Sequence, residues 1–126
     1  MSNKIVIIDY GVGNILSIKN AISYNGYTPI VTNQHKEIES ASHIILPGVG
    51  AFPSAMKKLR DLDLIEPIVK AKNDKAYLLG ICLGMQIFFT NSTEFELTNG
   101  INLIEGNIIR LDKFNKNFKS SSKKYR

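Results

Sequence analysis

Apolar residues fall along this chain in two rhythms. Ile5-Val6-Ile7-Ile8, His43-Ile44-Ile45-Leu46 and Ala76 to Ile81 are short runs bounded by turn-forming residues. Runs of this length and β-branched character suit strands buried on both faces. Between the first and second, Ile15, Ile18 and Ile22 recur at helical spacing, with Leu16 and Ala21 on the same side. Asn14 is the N-cap candidate for this helix and Gly26 its stop. Thr28 to Thr32 predicts another strand, with Pro29 favouring its beginning or an edge. Helices are predicted over Lys36 to Ser40, Phe52 to Leu59, Leu64 to Lys72 and Leu83 to Phe89, and Pro67 suits a first turn. Ile101 to Leu111 predicts two further short strands around Gly106. There is no internal repeat and no interdomain linker.

Strands alternating with helices in this way predict an α/β protein: three layers, a mostly parallel sheet with helices on both faces. In such folds the working groups collect beyond the carboxyl ends of the strands. Three glycine-rich loops stand at such ends, after Ile8, after Leu46 and after Ile81. The pattern leaves the strand order open.

Composition narrows the class. The 126 residues fit one ordinary domain, and 44% hydrophobic with 21% charged residues argues against wholesale disorder. No apolar run approaches the roughly 18 residues of a membrane span, and the apolar part of residues 1–10 is too short for a signal peptide. A single cysteine excludes an internal disulfide framework and a multi-cysteine zinc site, which makes the cytoplasm the natural compartment. The net charge of +5 is unevenly spread. Residues 1–112 hold 10 Lys and Arg against 11 Asp and Glu, while residues 113–126 hold six basic and no acidic residues. The division expected is a near-neutral domain over 1–112 and a basic, disordered tail over 113–126. A neutral body does not argue for nucleic acid, and neither a membrane nor a metal or other cofactor is expected.

Gly80-Ile81-Cys82-Leu83-Gly84 carries the most chemistry. It lies at a strand-to-helix junction with the form G-x-C-x-G, the cysteine counterpart of the nucleophile elbow, in which a strained turn lifts the side chain above the sheet. The helix N-terminus favours thiolate, the form that attacks carbonyl carbon. The Leu83 N–H is then placed to receive a developing oxyanion. The plainer alternative is a small buried thiol with a packing role. Pro47-Gly48-Val49-Gly50-Ala51-Phe52, after another strand, offers backbone N–H groups that complete an oxyanion hole, or is an ordinary tight turn.

Taken together, Asp9-Tyr-Gly-Val-Gly-Asn14, Leu46-Pro-Gly-Val-Gly-Ala-Phe52 and Leu79-Gly-Ile-Cys-Leu-Gly-Met-Gln86 resemble the class I glutamine amidotransferases. Within that class they are similar to the glutaminase subunits of imidazole glycerol phosphate synthase. The resemblance covers roughly Ile5 to Arg110. It implies a flavodoxin-like amidotransferase fold, here incomplete, and hydrolysis of glutamine to glutamate and ammonia through a thioester. It also implies a (β/α)8-barrel synthase partner that consumes the ammonia in histidine biosynthesis. Cys82 matches the nucleophile, and Val49 and Leu83 match the oxyanion donors. Gly48, Gly50 and Gln86 match the glutamine pocket, and Gly11 and Asn14 a loop near the partner interface.

The chain also departs from that pattern. The family completes its triad with a late His-x-Glu pair, whereas the two histidines here, His35 and His43, precede Cys82, and tryptophan is absent. His43 reads as a strand-end residue and His35 as a residue of a polar loop. The basic end stands where a further core strand is expected, and a truncation or frameshift near Phe114 to Lys119 is the reading that follows. Without a histidine to move the proton, these residues alone are expected to give negligible turnover. Other functions the sequence leaves open are a paralogue serving another synthase, a non-catalytic partner-binding protein, and a redox-sensing flavodoxin-like domain using Cys82. A dinucleotide fingerprint fails at Leu16, where the third glycine belongs. Asn91-Ser92-Thr93 is a chance sequon, and Asp61, Asp63 and Glu66 suit a helix start better than a metal.

Overall fold

A computed structural model of the chain describes residues 3–114. Four parallel strands form the main sheet in the order β2-β1-β3-β4: β1 (Ile5–Ile8), β2 (Ile30–Thr32), β3 (His43–Leu46) and β4 (Tyr77–Gly80). Val6, Ile44 and Leu78 are in register, as are Ile7, Ile45 and Leu79, so successive residues alternate between the two faces.

One face is closed by three helices, α2 (His35–Glu39), α3 (Phe52–Asp61) and α4 (Ile65–Asn73). Helix α3 buries Phe52, Ala55, Met56 and Leu59, the i, i+3, i+4, i+7 stripe of an amphipathic helix, and Pro53 sits in its first turn. Ile68 and Ala71 do the same for α4, with the buried Leu64 at its N-cap, and Ile38 for α2. These side chains share one core with Val6, Ile8, Ile44 and Leu46. On the other face lies α1 (Ile15–Tyr24), capped by Asn14, whose Oδ1 accepts from the Ser17 N–H at 3.3 Å. No residue of α1 is buried, and its Ala21 and Ile22 border an apolar groove floored by Ile5, Ile45 and Leu79. A mostly parallel sheet with helices is therefore observed, with much thicker cover on one face.

The chain then turns through α5 (Leu83–Ile87) into a second, three-stranded sheet ordered β6-β5-β7, built from β5 (Phe89–Ser92), β6 (Thr98–Asn99) and β7 (Ile104–Ile108). Several sequence expectations change. The helix predicted to Phe89 ends at Ile87, because Phe89 begins a strand parallel to β7. The two strands expected around Gly106 are one strand passing through it, opposite a register shift between Phe89 and Asn91. Residues Leu111–Phe114 form the short helix α6. His35, read as a loop residue, is the first residue of α2. Beyond Phe114, the basic tail and the rest of the boundary near Lys119 lie outside the described residues.

Candidate active site

Sheet direction places the loops after β1, β3 and β4 side by side at one end, and backbone proximity locks them together. Gly13, with φ +104°, packs on the Pro47 ring: a Cβ there would stand 2.6 Å from Pro47 Cβ. Gly48 in turn faces the start of α5, where a Cβ would stand 2.6 Å from the Gly84 nitrogen. Only a residue without a side chain permits both approaches. The three glycine-rich loops therefore form a stack, with the Pro47 loop in the middle.

Two hydrogen bonds cross this stack. The buried Tyr10 hydroxyl, 2% exposed, donates to the Pro47 carbonyl at 2.6 Å. The Lys58 ammonium of α3 donates to the Gly11 carbonyl at 3.3 Å. Burial pushes the Tyr10 phenol up from its ordinary value, so it remains a protonated donor through neutral pH. Neither residue was singled out from the sequence. Each contact joins positions 37 or 47 residues apart, which local pattern does not encode.

Cys82 follows β4 at the open side of the stack and is exposed. Its backbone has φ +54° and ψ −119°. A non-glycine residue held there costs about 1–3 kcal/mol, sustained only where the surroundings over-determine it. Asp63, Lys75 and Asn102 also have positive φ, but the first two come just after helix ends, an ordinary place for that conformation, and Asn102 is an asparagine, which tolerates it, in the turn between β6 and β7. Cys82 joins a strand to a helix. The turn closes with the Gly84 N–H donating to the Ile81 carbonyl at 2.9 Å and the Met85 N–H to the Cys82 carbonyl at 3.0 Å.

The other predicted residues distribute as follows. Leu83 is buried and begins α5, and its N–H has no backbone acceptor among the described residues. Val49 is 61% exposed and Gly50 exposed with φ +94°; their N–H groups also lack a backbone acceptor among the described residues. Gly48 is buried between them and α5. Gln86, half-buried, is one helical turn beyond Cys82. Gly11 and Asn14 are exposed at the outer edge of the stack. The structure thus brings the predicted residues to one end of the sheet.

It does not bring a histidine there. His43 opens β3, at the opposite end of the sheet from Cys82, stacked on Tyr77 at 5.2 Å, with Nδ1 2.9 Å from the Ser42 hydroxyl. His35 Nε2 is 3.3 Å from the Leu62 carbonyl and borders an open groove with Arg60, Asp63 and Glu66, away from Cys82. Among the described residues, no three His, Cys, Asp or Glu side chains are grouped to hold a metal ion, and no helix is long and apolar enough to cross a membrane.

Comparisons with known proteins add an independent line. The family model for glutamine amidotransferase class-I matches residues 6–125. The chain is 51% identical over 111 residues to imidazole glycerol phosphate synthase subunit HisH 2 of Vibrio vulnificus (strain YJ016), a match covering 83% of this chain and 50% of that protein. It is 47% identical over 107 residues to imidazole glycerol phosphate synthase subunit HisH of Bacillus thuringiensis (strain Al Hakam), covering 85% and 51% respectively. The same figures hold for the subunit of that name from Bacillus cereus (strain 03BB102). The chain spans about half the length of the curated relatives it matches.

Proposed function

This chain belongs to the class I glutamine amidotransferase family, and from that premise we propose that it carries the nucleophile half of a glutaminase site. The observation behind the proposal is the backbone of Cys82, held at φ +54° on an exposed strand-to-helix turn beside the Pro47 loop, whose Val49 and Gly50 N–H groups have no backbone acceptor among the described residues. The Cys82 thiolate adds to the side-chain carboxamide carbon of glutamine, forming the C–S bond and a tetrahedral alkoxide. The N–H groups of Leu83 and Val49 receive that alkoxide. Its collapse expels ammonia, once protonated, and leaves a γ-glutamyl thioester that water hydrolyses to glutamate. Gly48, Gly50 and Gln86 border the space for the glutamine side chain.

Similarity to the HisH subunits supports a specific setting: the glutaminase subunit of imidazole glycerol phosphate synthase in histidine biosynthesis. There the ammonia passes to a (β/α)8-barrel synthase subunit, met by the face carrying Gly11 and Asn14, and the cytoplasm is the compartment. Proton transfer is the part these residues do not supply, since His35 and His43 are remote from Cys82. It falls to the further length that the relatives carry. A paralogue feeding another synthase uses the same site chemistry and differs only in its partner.

Acid-quenched intact-mass analysis after mixing with glutamine tests this reading. Expected is slow accumulation of at most one γ-glutamyl group per chain, on Cys82, with negligible ammonia turnover. Absence of any adduct contradicts the nucleophile assignment. Sustained ammonia release contradicts the assignment of proton transfer to other residues.

A further inference from the structure

We propose that Tyr10 is a positioning residue for the oxyanion loop: its hydroxyl clamps the Pro47 carbonyl and thereby sets the direction of the Val49 N–H. The inference rests on the reading of Val49 as an oxyanion donor and extends it to a residue outside the site.

A peptide unit is rigid and planar, so fixing the Pro47 carbonyl also fixes the Gly48 N–H that shares its plane. The Tyr10 hydroxyl does this at 2.6 Å from within the protein. Gly48 is confined on its other side by the Gly84 nitrogen and Leu83. The peptide carrying the Val49 N–H comes directly after this confined residue. Beyond it the restraint ends: Val49 is 61% exposed, and Gly50 has open space around its α-carbon. The loop therefore has a held half, Pro47–Gly48, and a free half, Val49–Gly50, and Tyr10 is the group that divides them. Among the described residues the Pro47 carbonyl has no other donor. Removing the hydroxyl leaves a buried carbonyl unpaired, and rotation of the peptide to find a new partner carries the Val49 N–H with it.

The test compares wild type, Tyr10→Phe and Tyr10→4-aminophenylalanine; the last keeps the ring and restores an N–H donor. Each is treated with two Cys82 reagents. A chloromethyl ketone shaped like glutamine reacts with a thiolate through a tetrahedral alkoxide and so needs the oxyanion donors. Iodoacetamide is displaced at its methylene carbon and does not need them. Tyr10→Phe is expected to slow the ketone about tenfold, less than outright loss of an oxyanion donor, leave iodoacetamide unchanged, and be rescued by the amino analogue. Equal rates for wild type and Tyr10→Phe with the ketone overturn the proposal, and so does equal slowing with both reagents.

A second measurement reads the clamp without the chemistry. ¹⁵N order parameters of Gly48, Val49 and Gly50 are expected to fall in Tyr10→Phe while those of β1 and β3 hold. Unchanged values overturn the proposal even if the variant is less stable. If wild-type Cys82 is not labelled by the ketone while the order parameters change as expected, the glutaminase reading fails and the clamp stands.

Discussion

On one face of the four-stranded sheet, Val6, Ile8, Ile44 and Leu46 are at most 1% exposed beneath α2, α3 and α4, whereas on the other Ile7 and Ile45 of the inner strands are buried but Tyr77 and Leu79 of the edge strand β4 are 73% and 55% exposed beside α1. Both faces are apolar in sequence, so the difference lies in what covers them. The covered face continues into the site: Leu83 and Ile87 of α5 belong to the same core as Ile8 and Leu46. Packing on the covered side of the sheet thus reaches the helix that follows Cys82. The contrast separates the residues that hold the nucleophile turn from those that merely accompany it.

Substitutions on the two faces break or sharpen this contrast. Leu46→Ala, on the covered face and next to the Pro47 loop, is expected to cost about 3 kcal/mol in denaturant unfolding. A cost under about 1 kcal/mol would mean that the core beneath the loops is not what holds them. Cys82→Gly removes a side chain from a conformation glycine tolerates, and is expected to raise stability by about 1 kcal/mol, strain relief exceeding the extra chain entropy of glycine. A destabilised Cys82→Gly variant would locate no strain at the turn. Leu79→Ser, on the exposed face, is expected to change stability by no more than about 0.5 kcal/mol. A loss matching that of Leu46→Ala would show that this face packs against something in solution.

Much of this architecture is legible in the sequence, for local reasons. The runs Ile5–Ile8 and His43–Leu46 are apolar from end to end or nearly so, and each is a strand. The three glycine-rich loops mark the carboxyl ends of their strands, and G-x-C-x-G marks the one strand-to-helix turn among the described residues where a non-glycine residue is held at positive φ. What escaped notice depends on distant contacts. Phe89-Thr-Asn-Ser92 has neither an apolar run nor clear alternation, and it is a strand because β7 and β6 flank it. Gly106 looks like a break, yet its backbone accommodates the Phe89 ring inside a continuous strand. Tyr10 reads as part of a turn, and only the fold brings its hydroxyl to the Pro47 carbonyl. His43 is the strand-end residue the apolar run suggests, whereas His35 opens α2 instead of lying in a loop.

The central claim is that the turn at Cys82 presents a sulfur to a carboxamide carbon, and covalent labelling with a glutamine-mimicking electrophile followed by peptide mass mapping tests it most directly. The account predicts one adduct, on Cys82, whose formation slows when free glutamine is added. A folded sample that takes up no label, or one whose labelling is indifferent to glutamine, would contradict it.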